Sequence, residues 1–158
     1  MESTLVVRDV LEQGGVESLI KTSGATGLHI VVPLGARLDY DQAQQLGEII
    51  ARIVNSRIPA WTSLVRSPAQ RQGKVYLDYL QNRRGQTIAA PYSVRPRPGA
   101  PVSTPLRWAE VTPTLDPSAF TIRTMPARLQ EVGDLWKPAC GEGASIEDFL
   151  AQHTASSA

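Results

Sequence analysis

At 158 residues, 42% of them hydrophobic and 20% charged, the chain has the length of one ordinary domain and enough apolar residues for a core. No apolar run approaches the ~20 residues of a membrane span, and Met1-Glu2-Ser3-Thr4 lacks the basic start of a secretory signal. The formal net charge of +1 hides an uneven distribution: Arg57 to Arg107 holds nine cations against one acid, Asp78, a net +8, and the other 7 cations and 14 acids leave −7 outside it.

Cys140 is the only cysteine, which excludes an internal disulfide, and with only His29 and His153 beside it no zinc site is supported. A reducing, cytoplasmic setting is the expectation.

Leu5, Val6, Val10 and Leu11 recur at helical spacing, and Gly14-Gly15 ends the helix they predict. Glu17 to Lys21 forms a short apolar approach to a small, hydroxyl-rich loop, Ser23-Gly24-Ala25-Thr26-Gly27. Leu28 to Pro33 follows at once and predicts a strand, with His29 and Val31 on one face and Leu28, Ile30 and Val32 on the other. A loop of this composition makes either a plain turn or a cradle of backbone N–H groups for an anion. It lacks the Gly-Lys-Ser/Thr ending of a Walker loop and does not fit the dinucleotide fingerprint. On its own, His29 reads as a packed or surface histidine.

Asp39 or Asp41 caps a helix predicted to run to about Asn55, with Ala43, Leu46, Ile49, Ile50, Ile53 and Val54 as its apolar stripe and Arg52 near its C-terminal end. Trp61 to Arg71 is polar and irregular. The stretch from Arg71 to Asn82 then predicts a short strand, Val75, Leu77 and Tyr79 facing one way and Tyr76, Asp78 and Leu80 the other. Asp78 is the single carboxylate in the basic window. It suits either a salt bridge that neutralises one arginine, or a hard divalent cation beside a polyphosphate that the arginines contact.

Thr87 to Ala90 predicts a further strand, reached through the polar turn from Asn82 to Gly85. From Pro91 to Pro101 the prolines predict an extended, stiff arm that presents Arg95 and Arg97, or a connection lying on the surface. Leu106 and Trp108 look like anchoring apolar groups. Short helices are expected from Pro126 to Val132 and from about Ser145 to Ala151, the latter opened by a capping-box-like Ser145 and Asp148. Residues Thr154 to Ala158 are expected to fray. With no repeat and no linker, residues 1–158 read as a single domain.

Four segments, in order, resemble signatures of one family. Lys21 to His29 is similar to its second motif, Arg71 to Asn82 to its third, Ala90 to Leu106 to a further signature, and Gly133-Asp134-Leu135-Trp136 to one near its end. The family is the polymerase domain of the bacterial ligase D proteins, within the archaeo-eukaryotic primase superfamily. The resemblance implies an α/β (α+β) primase-like fold, a mostly antiparallel sheet flanked by helices. It implies template-directed nucleotidyl transfer in non-homologous end joining, with Mn²⁺ or Mg²⁺ as cofactor. By position, Asp78 resembles a catalytic metal-binding carboxylate, and Ser23, Gly24, Thr26, His29, Arg71 and Arg95 resemble residues that bind the incoming nucleotide.

Two departures qualify the likeness. Thr26 stands where the second motif usually has lysine. The family's first motif, a pair of aspartates one residue apart on a preceding strand, has no counterpart, so the resemblance implies a domain truncated at its N-terminus. Asp39 and Asp41 have that spacing but follow the loop. A lone aspartate cannot bridge two ions ~3.5–4 Å apart, so the chain by itself is expected to bind nucleoside triphosphate weakly and to polymerise poorly or not at all. Three roles stay open: part of an enzyme completed by another polypeptide, a binding module without catalysis, and a gene remnant. The basic middle predicts DNA as a partner, with Arg83, Arg84 and Arg97 as contacts; the resemblance adds a ligase and a Ku-type end-binding protein.

Overall fold

Strand β1 (Leu19–Thr22) lies at the centre of a three-stranded antiparallel sheet, between β2 (Leu28–Val31) and the two-residue β5 (Pro105–Leu106). In this computed structural model, which describes residues 1–154 apart from the side chains at 148 and 152–154, the chain forms two units. The sheet belongs to the unit made of Met1, Glu17–Gly35 and Ala89–Ala144. The other unit is made of Glu2–Val16, Ala36–Ile88 and the described residues from Ser145 onward.

In the first unit β1 is buried over Ile20, Lys21 and Thr22 because it has a strand on each side. Ile20 opposes Ile30 on one side and Leu106 on the other, and Lys21 opposes His29. Residues directly opposite in an antiparallel pair share a face, so Lys21 and His29 lie together. Past β1 a hydroxyl network replaces the regular ladder. Thr22 N–H donates to Thr104 O (2.8 Å), Thr22 Oγ1 to Val102 O (3.0 Å) and Ser103 Oγ to Thr22 O (2.8 Å), while Thr104 N–H donates to Thr22 Oγ1 (2.8 Å). Thr22, Ser103 and Thr104 are all fully buried, and every one of these polar groups has a partner, as burial requires. Val102, Leu106, Val111 and Met125 add the apolar core of this unit, Met125 from helix α3 (Met125–Val132). The expected anchors hold: Leu106 is buried and Trp108 Nε1 donates to Ser18 O at 2.9 Å.

In the second unit, helices α1 (Glu2–Gln13) and α2 (Tyr40–Arg57) pack together. They bury Val10 and Leu11 from one and Leu46, Ala51 and Val54 from the other; of the stripes expected, Leu5, Val6, Ala43, Ile49, Ile50 and Ile53 are half-buried, and Ala51 is an addition to them. Asp39 caps α2: its carboxylate accepts from Gln42 N–H at 2.8 Å and Gln42 Oε1 accepts from Asp39 N–H at 3.0 Å, a capping box. Of the two aspartates expected as caps, Asp39 does the work. Helix α4 (Glu147–Thr154) places Phe149 in the core, where a Cβ on Gly14 would overlap its ring. Ser145 Oγ donates to the Glu147 carboxylate at the start of α4; the expected partner Asp148 and the tail at 155–158 lie outside the described side chains and residues.

Three expected elements come out differently. The strand from Arg71 to Asn82 is only β4 (Val75–Tyr76), parallel to β3 (Thr62–Ser63) in the stretch expected to be irregular. It stops because Asp78 turns the chain into a 3₁₀ turn over Leu80–Asn82. Thr87 to Ala90 is not a strand. The proline-rich arm is not extended either; it folds back on itself, with Tyr92 N–H donating to Ser103 O (2.7 Å), Ser103 N–H to Ser93 O (2.9 Å) and Arg95 N–H to Pro101 O (2.8 Å). Tyr92 (φ 63°), Gly99 (φ 83°) and Ala100 (φ 47°) take the left-handed backbone that this reversal needs.

A two-pronged clamp closes the first unit. Arg128 donates to both oxygens of Glu110 (2.7 and 2.8 Å) and to Pro105 O (3.0 Å), with its guanidinium 5.0 Å from the Phe120 ring centre. The Arg128 hydrogen bonds, ahead of the opposing effect of burial, hold the Glu110 carboxyl below its ordinary value. Breaking a partly buried pair on one side leaves an uncompensated charge, so Arg128→Ala is expected to cost about 2–3 kcal/mol. Because the folded carboxyl titrates lower than the unfolded one, that contribution is present at neutral pH and fades as acid protonates the folded group. Thermal melts of wild type and Arg128→Ala from about pH 7 down to about pH 3 check this: the gap between them narrows toward acid.

Candidate functional site

The first unit gathers one group of the residues singled out from the sequence. The loop at Ser23–Gly27 is a tight turn joining β1 to β2, closed by Ser23 N–H to Gly27 O (2.8 Å). Ser23 Oγ accepts from Ala25 N–H and Gly27 N–H, both at 3.1 Å. Two backbone N–H groups that an open cradle would offer to an anion are therefore spent inside the turn. Thr26 is exposed at its tip. Gly24, with φ 68°, is buried beneath Arg95: a Cβ there would lie 2.5 Å from Arg95 Cγ and 3.0 Å from Ser103 N. Only glycine admits the arginine stem at that distance.

Lys21 sits one step before this turn and is 1% exposed. Its ammonium donates to Ala89 O (2.7 Å) and Ser103 Oγ (2.7 Å), and Nζ lies 2.9 Å from His29 Nδ1. None of the ion pairs among the described residues involves it. Burial, helped by repulsion from Arg95, brings its pKa down to about 8. So Ser23, Gly24, His29 and Arg95 form one neighbourhood with Lys21 and Ser103, two residues that the sequence reading did not select. Arg97 is exposed in the turn of the folded-back arm, where its N–H donates to Arg95 O at 2.8 Å.

Tyr92, at the foot of the arm, donates its hydroxyl to Asp134 Oδ1 at 2.6 Å, and Trp136 N–H donates to the same oxygen at 2.9 Å. The phenol is pushed up to about 12, first by burial and then by this bond. The stretch from Gly133 to Trp136 is thereby tied to the arm.

The second unit holds Arg71, Asp78, Arg83 and Arg84. Arg71 lies over the Tyr76 ring, 4.7 Å from its centre, and its Nη2 donates to Arg66 O at 3.0 Å. Its Nε and the Tyr76 hydroxyl are both buried without a hydrogen-bond partner. Burial, followed by the negative charge of Asp78, raises the Tyr76 phenol above its ordinary value. Asp78 itself is exposed, accepting from Leu80 N–H (3.1 Å) and, at 3.4 Å, from Gln81 Nε2. It takes part in none of the ion pairs among the described residues, so the plain salt-bridge role expected for it is not what the fold shows. Arg83 Nε donates to Gln44 Oε1 on α2 at 3.1 Å, while Arg84 is exposed. Tyr76 also went unselected, although its place one residue after Val75 and two before Asp78 was the available signal.

No helix among the described residues is long and apolar enough to cross a membrane, and no group of three or more His, Cys, Asp or Glu among them could hold a metal ion.

The model of the family described as LigD, primase-polymerase domain matches residues 1–136. The chain is 34% identical over 143 residues to the multifunctional non-homologous end joining protein LigD of Pseudomonas aeruginosa, covering 89% of this chain and 17% of that protein. It is likewise 34% identical over 128 residues to the bifunctional non-homologous end joining protein LigD of Bacillus subtilis, covering 80% and 21%. Its fold is similar, with a TM-score of 0.83 and 31% identity, to the polymerase domain from Mycobacterium tuberculosis ligase D in complex with DNA, over 90% of this chain and 49% of that one. That likeness bears out the α/β (α+β) primase-like class expected from the sequence.

The close seat of Arg95 on Gly24 gives a direct check. Gly24→Ala must move the arginine stem and hold alanine at a positive φ, for an expected loss of about 1–3 kcal/mol in a urea or thermal unfolding series.

Proposed function

Because the chain belongs to the LigD primase-polymerase family, we propose that it is the nucleotide- and DNA-handling part of a polymerase serving non-homologous end joining. The observation that carries this reading is the likeness, over residues 1–136, of a chain whose +8 window contains two of the four segments that resemble the family's motifs, Arg71 to Asn82 and Ala90 to Leu106. The chain spans only about a fifth of the first relatives it matches, so their other activities are not assigned to it.

In this reading Ser23, Gly24, Thr26, His29, Arg71 and Arg95 serve the incoming nucleoside triphosphate. The grouping of Gly24, His29 and Arg95 around Lys21 supports the assignment for the first unit. Arg71 supports it for the second: its guanidinium lies over the Tyr76 ring and its Nε is buried without a hydrogen-bond partner, a donor that suits an anionic oxygen. Arg83, Arg84 and Arg97, all exposed, serve DNA phosphates.

A divalent ion, Mn²⁺ or Mg²⁺, is the implied cofactor, and Asp78 is the residue that would hold it. Yet Asp78 is a solitary carboxylate whose oxygens already accept from Leu80 and Gln81. The described residues do not fit a two-ion centre, and no step of nucleotidyl transfer is assigned to them. We infer weak or absent polymerisation by the chain alone, with the other carboxylates supplied by a further polypeptide; a ligase and a Ku-type protein are the other partners of this reading. The same solitary acid favours a second reading, a nucleotide- and DNA-binding module without catalysis.

Calorimetry of nucleoside triphosphate binding with Mn²⁺ tests the metal role. Asp78→Asn is expected to lose most of the metal-dependent gain in affinity, about tenfold, and an unchanged gain would remove Asp78 from the metal site. For DNA, affinity is expected to fall steeply with salt. Arg83→Ala and Arg84→Ala should each reduce the slope of log affinity against log salt by about 1 without altering sequence preference.

A further inference from the structure

We propose that Lys21 is a positioning residue: by donating to Nδ1 of His29 its ammonium fixes the imidazole as the Nε2–H tautomer, so that Nε2 is the ring's donating nitrogen. The role of that donor rests on the reading of His29 as a triphosphate contact; the tautomer itself rests on the geometry of the first unit.

A protonated lysine has three N–H groups and nothing to accept with. Lys21 has three neighbours at hydrogen-bond distance: Ala89 O, Ser103 Oγ and His29 Nδ1. A carbonyl oxygen only accepts. Ser103 Oγ gives its own hydrogen to Thr22 O at 2.8 Å, so toward Lys21 it too accepts. Two hydrogens of the ammonium are thus committed, and the third points at His29 Nδ1, which must offer a lone pair. A neutral imidazole with a lone pair on Nδ1 carries its proton on Nε2. A doubly protonated ring would set an N–H against the ammonium, so the pair holds one positive charge, and it holds it on lysine.

The burial explains why the arrangement is rigid. Lys21 is 1% exposed and Ser103 is fully buried, so water cannot substitute for a missing acceptor without opening the sheet. The register sets Lys21 opposite His29 on neighbouring strands, fixing the pair through the backbone rather than through a flexible loop. The charged group facing this ammonium is Arg95, which repels it, and the groups that accept from it are neutral. With the lysine pKa at about 8, the proton is present at neutral pH and lost in mild alkali. Once it is lost, the lone pair of the amine accepts from Nδ1–H, and the ring changes to the other tautomer.

Long-range proton–nitrogen NMR of the full chain, labelled at histidine nitrogen, reads which ring nitrogen carries hydrogen. His153→Gln leaves His29 as the one histidine. The expected result is Nε2–H at pH 7, with a change toward Nδ1–H centred at about pH 8. Lys21→Met, which keeps the bulk and loses the donor, is expected to give a mixture of tautomers at pH 7. Ser103→Ala removes an acceptor but leaves the lysine–histidine contact, so it lowers the melting temperature and retains Nε2–H. Nδ1–H in the wild type at pH 7, or the same Nε2–H signal in wild type and folded Lys21→Met, overturns the proposal; should Lys21→Met fail to fold, the wild-type titration and Ser103→Ala decide it. Nucleoside triphosphate affinity measured with Mn²⁺ in parallel is expected to fall about tenfold in Lys21→Met. A lost tautomer with unchanged affinity would retire the triphosphate role of His29 and leave the positioning role standing.

Discussion

The first unit depends on a buried cation, Lys21, that has no anion paired with it among the described residues. An unpaired ammonium away from water is costly, and the usual remedy is a carboxylate partner. Here the remedy is three neutral acceptors drawn from three places in the chain: β2, the residue at 89 and the residue at 103. Each is held by something else, His29 by the strand register and Ser103 by its bond to Thr22. The central strand, the turn after it and the returning arm are fastened through one nitrogen. An ion pair would have left the imidazole outside this arrangement and its tautomer unset.

Much of the helical structure was legible in the sequence because its determinants are local. The stripe on α2, the Asp39 cap with Gln42 three residues on, and the double glycine after α1 are signals readable within one or two turns. The strand β2 and helix α3 were found for the same reason. The failures are equally instructive. Alternation from Val75 to Leu80 predicts a short strand, but the Asp78 side chain captures the backbone N–H of Leu80 and bends the chain after two strand residues. The prolines of the arm suggested extension. Proline fixes its own φ, and the reversal is made by Tyr92, Gly99 and Ala100, none of which is proline.

The candidate site was legible in its residue types and much less in its connections. Arg95 and Gly24 were both selected, but that one roofs the other follows from a turn and an arm that meet far apart in sequence. Lys21 and Ser103 were not selected: Lys21 reads from the sequence only as the end of a short approach to the loop, and two of its three acceptors lie 68 and 82 residues away. The distribution of charge was read correctly as a fact and only coarsely as a role. Among the described residues Asp78 makes no ion pair in spite of its cationic surroundings, while Arg71 keeps a buried nitrogen without a partner.

The hydroxyl of Ser103 has a consequence for how such a chain can diverge. It receives a hydrogen from one residue of β1 and returns one to the next, so alanine or valine there leaves the ammonium of Lys21 one acceptor short. Positions 21 and 103 are therefore epistatic: descendants can retain both or exchange both, but an intermediate with one altered is penalised. Threonine is the substitution at 103 open to drift, since it alone among the small residues carries the same oxygen on the same carbon.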